Sequence, residues 1–147
     1  MKVIPAQRHK ARHFAMQALY QWQMTGATIN TIEAEFHTDN DMKHVDKPFF
    51  SELLHYIPGH TDELEALFSP YLQGHALGEL DHITRALLWI ATYELEQRIE
   101  TPYKVAINEA VGLAKKFGAT DSFKFMNAVL DATAAQLRKV EVGAGRS

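Results

Sequence analysis

The stretch ARHFAMQALYQW, residues 11–22, sets the reading of the chain. Its apolar members Ala11, Phe14, Ala15, Ala18, Leu19 and Trp22 fall at i, i+3, i+4, i+7, i+8 and i+11, which is one face of an α-helix and not the alternation of a strand. Working outward, Gly26 ends that helix, and Ile29, Ile32 and Phe36 predict a second, shorter one over residues 30–36. Residues 38–47 are polar and read as a connection. Asp46 ahead of Pro48 marks a helix start, with Phe49, Phe50, Leu53, Leu54 and Ile57 as its core face. Pro58 and Gly59 break or kink it, Thr61 caps the continuation, and Pro70 stops it. Leu80, Ile83, Leu87, Ile90, Ala91 and Leu95 again keep helical spacing, with Arg85 and Glu96 facing solvent. Pro102 opens a helix through Val105, Ile107, Ala110, Val111 and Ala114 to Phe117, where Gly118 is expected as a left-handed C-terminal cap. Asp121 or Ser122 caps a last helix whose core face uses Phe125, Met126, Val129 and Leu130. No convincing strand and no internal repeat intervene. The fold class is all-α: a single compact bundle of about six or seven helices over residues 8–138. A basic N-terminal arm over residues 1–13 leads into the first helix, and the glycine-rich end, residues 139–147, is expected to be disordered.

The chain has 147 residues and is 46% hydrophobic, enough to close a core without a metal or disulfide staple. It holds no cysteine, which excludes disulfides, thiolate metal sites and thiol nucleophiles. The N-terminus lacks the apolar centre of a secretory signal, and the longest apolar run, residues 86–91, is too short to cross a bilayer. A soluble cytoplasmic protein with no membrane association is expected. The net charge of −3 is unevenly spread: Lys2, Arg8, Lys10 and Arg12 precede Glu33 with no acid among them, while the remainder carries all 18 acids and 11 of the 15 cations. Such a terminus is either a solvated, helix-promoting arm or an electrostatic footprint for a polyanion.

Catalytic patterns are missing. There is no G-x-S-x-G elbow, no P-loop and no dinucleotide glycine pattern. His9 and His13 share a helix face at i, i+4, as a zinc pair would, but a third ligand is lacking, and His82 with Glu79 is an equally weak pair. The histidines read as extra donors on a basic surface, so neither metal nor cofactor is expected. What stands out is cations interleaved with aromatics and amides. One such place is the N-terminal arm continuing into Gln17 and Tyr20. The other is Lys115, Lys116 and Phe117 followed by Phe123, Lys124 and Phe125. This mixture suits single-stranded RNA, since cations meet phosphates while rings stack on unpaired bases. Phe117 and Phe125 also lie near the apolar positions of their helices, and a core role fits them equally well.

Three segments carry a resemblance: Ala18-Leu19-Tyr20-Gln21-Trp22; Pro102-Tyr103-Lys104-Val105-Ala106-Ile107-Asn108-Glu109-Ala110; and Phe117-Gly118 with Asp121-Ser122 and Lys124-Phe125-Met126-Asn127-Ala128-Val129-Leu130-Asp131. With Ala91-Thr92-Tyr93-Glu94-Leu95 between the first and the second, in order and at matching spacing, the chain resembles the NusB family from Arg8 to about Leu137. The resemblance implies two helical subdomains and no enzymatic activity. It implies transcription antitermination: binding the boxA element of ribosomal RNA leader transcripts together with NusE, a ribosomal small-subunit protein, and helping RNA polymerase read through terminators. It implies RNA contacts from Arg8, His9, Lys10 and Arg12, from Phe117, Asp121, Lys124 and Phe125, and from Lys104 toward a phosphate. His9 and Lys10 depart from an arginine-rich pattern and give up bidentate phosphate pairing there. Tyr20 matches a partner-facing tyrosine. Thr84 stands where the family often has an acid, leaving Glu79 and Asp81 to supply charge toward NusE. A homodimer that covers the RNA surface is a further arrangement found in the family. From the same residues, a protein–protein adaptor with a soluble basic tail is the competing reading.

Overall fold

Pro5 stands at the first position of α1 (Pro5–Thr25), where its missing N–H leaves no hydrogen bond unmade, and Gly26 closes the helix at φ 68°. The computed structural model describes residues 3–145, and its helices fall into two compact units, residues 1–60 and 61–147. Among the described residues there is no strand, and no helix is long and apolar enough to cross a membrane.

In the first unit, the Thr28 hydroxyl accepts the Thr31 N–H to start α2 (Ile29–Asp39), which therefore runs into the segment expected as loop. Asp46 accepts the Phe49 N–H and starts α3 (Lys47–Tyr56), as expected. Pro58 neither kinks nor continues that helix. A 3-10 turn, Ile57–Gly59, ends it. Ala11, Ala15 and Ala18 are fully buried on α1, and their small side chains let α3 approach closely. Phe36 fills the space between, 6.0 Å from the Phe14 ring centroid and 5.8 Å from that of Phe50, within the range of favourable aromatic pairs.

The second unit is built round α5 (His82–Gln97), which is buried on nearly all sides from Ala86 to Leu95, the signature of a central helix. Packed on it are α4 (Thr61–Phe68), α6 (Tyr103–Phe117) and α7 (Ser122–Leu137). Short 3-10 turns occupy Ser69–Tyr71 and Leu77–Glu79. Arg85, expected to face solvent, is instead tied to the buried carboxylate of Glu65 at 2.7 Å, which also accepts the Trp89 indole N–H at 2.9 Å. A buried carboxylate needs such partners, and this pair joins α4 to α5.

The expectation of a disordered end is corrected: Lys139–Gly145 forms an eighth helix, α8. Residues 146 and 147 lie outside the described residues. What orders this segment is Arg138, which is 3% exposed. Its guanidinium donates to the carbonyl of Leu95 at 2.7 Å and is a second donor to those of Glu94 at 3.1 Å and Arg98 at 3.0 Å, which also accept the Arg98 and Thr101 N–H groups. Glu141 accepts from Arg138 at 2.6 Å and from the Tyr103 N–H, at the start of α6, at 2.9 Å. Burial pushes the Glu141 carboxyl up, but the Tyr103 N–H and the Arg138 guanidinium outweigh it and hold it below the ordinary glutamate value. Because the folded value is depressed, the stability that Glu141 contributes is present above the ordinary value of about 4.3 and is lost as pH falls through the folded one. Glu141→Gln should therefore unfold at lower denaturant than the parent at pH 7 and pH 6, with the gap closing toward pH 3. A gap independent of pH would assign the difference to packing and not to charge.

Candidate nucleic-acid interface

At 100° per residue, the outward side of α1 carries His9, Lys10, His13, Gln17 and Tyr20 on successive turns. Lys10 and Tyr20 are exposed, Tyr20 at 40%, while His9, His13 and Gln17 are half-buried. Gln17 Nε2 lies 3.1 Å from His13 Nε2. Arg8 and Arg12 fall on the opposite side. Arg8 Nε donates to Asp46 at 3.1 Å, and its guanidinium sits 4.4 Å from the centroid of the Phe49 ring. Arg12 is 4% exposed, with its guanidinium 5.4 Å from the same ring. Asp46 thus serves two ends at once, capping α3 through Oδ1 and pairing with α1 through Oδ2. The basic residues are helical from residue 5 onward and form no extended arm. Lys2 lies outside the described residues.

In the second unit, the α6–α7 turn brings together the second predicted group. Lys115, Lys116 and Phe117 are all exposed, Phe117 at 43%, so Phe117 is not a core residue. The ammonium groups of Lys115 and Lys124 lie 5.0 Å and 5.9 Å from the centroid of the Phe123 ring, within cation–π range. Lys104 is exposed in the first turn of α6. Gly118 is not a left-handed cap: its φ is −84° and its ψ 174°. Glycine is required there for closeness, since a Cβ would stand 2.6 Å from Ser122 Oγ and 2.7 Å from the Ala114 carbonyl oxygen. The left-handed residue is Asp121, at φ 64°, and its side chain makes no capping bond. Its carboxylate lies 3.8 Å from Lys124 Nζ, with both side chains largely in solvent.

Three of the residues expected to face a protein partner, Glu79, Asp81 and Thr84, and two of those expected to face RNA, Asp121 and Phe125, meet in one shallow cavity of about 290 Å³, lined also by His75, Leu80, Thr120 and Ser122. Thr84 is 2% exposed and so presents the cavity wall and not an open surface. Asp81 caps α5, its carboxylate 3.5 Å from the Thr84 N. The Ala76 N–H, at 2.9 Å, and secondarily His75, at 3.5 Å, hold the Glu79 carboxyl below its ordinary range. His75 meets Phe125 edge-on at 5.3 Å between centroids. The sequence reading missed His75 altogether, since its only local signal is Glu79 four residues on. Among the described residues no group of three or more histidine and carboxylate side chains is placed to hold a metal.

Comparison with known proteins adds a family. The NusB family model matches residues 9–135. The chain is 58% identical over 147 residues to the transcription antitermination protein NusB of Teredinibacter turnerae, covering 100% of both, and 56% identical to that of Saccharophagus degradans, covering 100% of this chain and 98% of the relative. Among solved structures, NusB of T. maritima superposes with a TM-score of 0.68 at 28% identity, over 92% of this chain and 94% of that one.

Proposed function

Since the chain belongs to the NusB family of transcription antitermination proteins, we propose that it binds boxA-type single-stranded RNA of ribosomal RNA leader transcripts together with NusE, and that the pair promotes read-through by RNA polymerase in the cytoplasm. The observation that carries the RNA reading is the α6–α7 turn: an exposed Phe117 beside Lys115, Lys116 and Lys124 offers a ring to a base and charge to its phosphates. In the first unit, Lys10 and His9 supply the outward contacts to RNA, and Tyr20 faces the protein partner. Arg8 and Arg12 pack from the inner side of α1 against Phe49, and Arg8 also pairs with Asp46. Lys104 takes a phosphate. Asp121, Lys124 and Phe125 border the bound strand, and Glu79 and Asp81 offer charge to the protein partner.

The test is titration of labelled boxA-type RNA and a shuffled RNA of equal length, with and without NusE, over a range of salt. Neutralising three or four phosphates gives log K against log salt a slope of about −2 to −3. The double variant Lys104→Ala, Lys124→Ala should flatten it by about 1.4, at roughly 0.7 per phosphate for single strands. A preference for boxA that strengthens with NusE supports the reading. Equal weak binding of both RNAs, with NusE still bound, reduces the protein to an adaptor with a non-specific basic helix.

A further inference from the structure

Phe123 falls three residues before Met126 and six before Val129, at the edge of the apolar side of α7, and it is half-buried there. Its ring neither enters the core nor stands free in solvent. The Lys115 ammonium, from the last turn of α6, lies 5.0 Å from the ring centroid, and that of Lys124, the next residue in the chain, lies 5.9 Å away. Both are within the distance of about 6 Å over which an aromatic ring attracts a cation. The two lysines are exposed and stand on different helices. As like charges they repel each other, yet one ring keeps both at the same corner of the second unit.

The neighbouring acid does not account for this order. Asp121 lies 3.8 Å from Lys124 Nζ, but the two side chains are 67% and 70% exposed, and an ion pair so open to water contributes little. Among the described residues, the Phe123 ring is the group that reaches both ammoniums. A lysine side chain gives up rotamer freedom when a phosphate fixes it. Where a ring has already narrowed the choice of rotamers, that loss is taken in folding and not in binding. The ammonium stays usable, because the ring engages one side of it and the remaining N–H donors still point to solvent.

We propose that Phe123 is a positioning residue of the nucleic-acid interface: without contacting RNA itself, its ring holds Lys115 and Lys124 as a preformed pair of phosphate donors. The proposal rests on the RNA-binding reading above and adds a residue to which that reading gives no role.

The experiment compares the parent with Phe123→Leu and Phe123→Trp, each alone and combined with Lys115→Ala and Lys124→Ala, in titrations of boxA-type RNA with NusE over a range of salt. Leucine keeps an apolar contact and removes the ring, whereas tryptophan presents a stronger one. Phe123→Leu should bind about fivefold more weakly, as expected for two side chains that must now be fixed on binding. The slope of log K against log salt should not change, because the same phosphates are neutralised. Phe123→Trp should bind at least as tightly as the parent. In the background lacking both lysines, leucine should cost less than twofold, since the coupling partners are gone. Nuclear magnetic resonance reads the pair without RNA: the ε-methylene protons of Lys115 and Lys124 should be shielded by the ring in the parent and in Phe123→Trp, and lose that shift in Phe123→Leu. An undiminished fivefold loss in the lysine-free background would show that the ring stacks on a base itself. Equal losses for leucine and tryptophan would assign the effect to packing, and unshifted lysine protons in the parent would remove the ordered pair. Each of these overturns the proposal. Absence of RNA binding by a parent whose lysine protons are shifted fails the RNA-binding reading and with it the role, while the ordered pair itself stands.

Discussion

Replacing Arg138 by methionine should lower the unfolding free energy by about 3–5 kcal/mol, the range for removing one member of a buried, hydrogen-bonded charge network. The methionine keeps most of the volume. What is lost is a fork that reaches three carbonyls at the end of α5 and the carboxylate of Glu141. The Glu94 and Arg98 carbonyls also accept the Arg98 and Thr101 N–H groups, so the loss falls hardest on the Leu95 carbonyl, and an acceptor left dry costs free energy of its own. Lysine at the same position keeps the charge and one or two of the bonds but not the planar fork, so Arg138→Lys should fall between methionine and the parent. Urea unfolding followed by circular dichroism measures this. A loss under 1 kcal/mol for methionine would mean that water or a rearranged α8 takes over the acceptors. The m-value should stay constant, because the surface exposed on unfolding is unchanged.

Asp46→Ala should cost about 2 kcal/mol, roughly half from the helix cap and half from the partly buried pair with Arg8, discounted for its remaining exposure. Asp46→Asn separates the two, since asparagine caps as well as aspartate but carries no charge, and it should cost about 1 kcal/mol. The same pair of variants has a second, opposite effect. Removing the acid that neutralises Arg8 frees a cation at the basic helix, so at low salt both variants should bind RNA more tightly per folded molecule, while melting earlier. Weaker binding in Asp46→Asn would instead show that the pair is needed to aim α1.

These two residues also mark how far the residues alone could be read. The cap at Asp46 was legible because proline two residues on and the following apolar spacing are local signals. The spacing of Arg12, three and seven residues before Ala15 and Leu19 of the core face, points it inward while its charge favours solvent, and in the fold position prevails over charge. Burial of its guanidinium depends on Phe49, which arrives from 37 residues further along, and no local pattern announces that. The eighth helix was illegible for the same reason. Residues 139–145 contain two glycines and little helical propensity, and what orders them lies 38 to 44 residues upstream in Tyr103, Leu95 and Glu94. Gly118 and Asp121 exchanged the roles that propensity assigned. Glycine serves close approach, and the left-handed conformation fell to an aspartate, a residue that tolerates it better than most. Of the candidate site, the cations and rings of the α6–α7 turn could be read. The cavity could not, because its walls come from segments some 40 residues apart.

The α6–α7 turn therefore divides into a part closed to sequence change and a part open to it. At Gly118 any side chain collides with backbone, and at Asp121 the chain direction restricts the choice to glycine, asparagine or aspartate in practice. Around this frame, Lys115, Lys116, Phe117 and Lys124 project into solvent and can be exchanged with little effect on the fold. Diversification of what the turn recognises can therefore proceed through its rim alone, one side chain at a time, without re-evolving the loop that presents it.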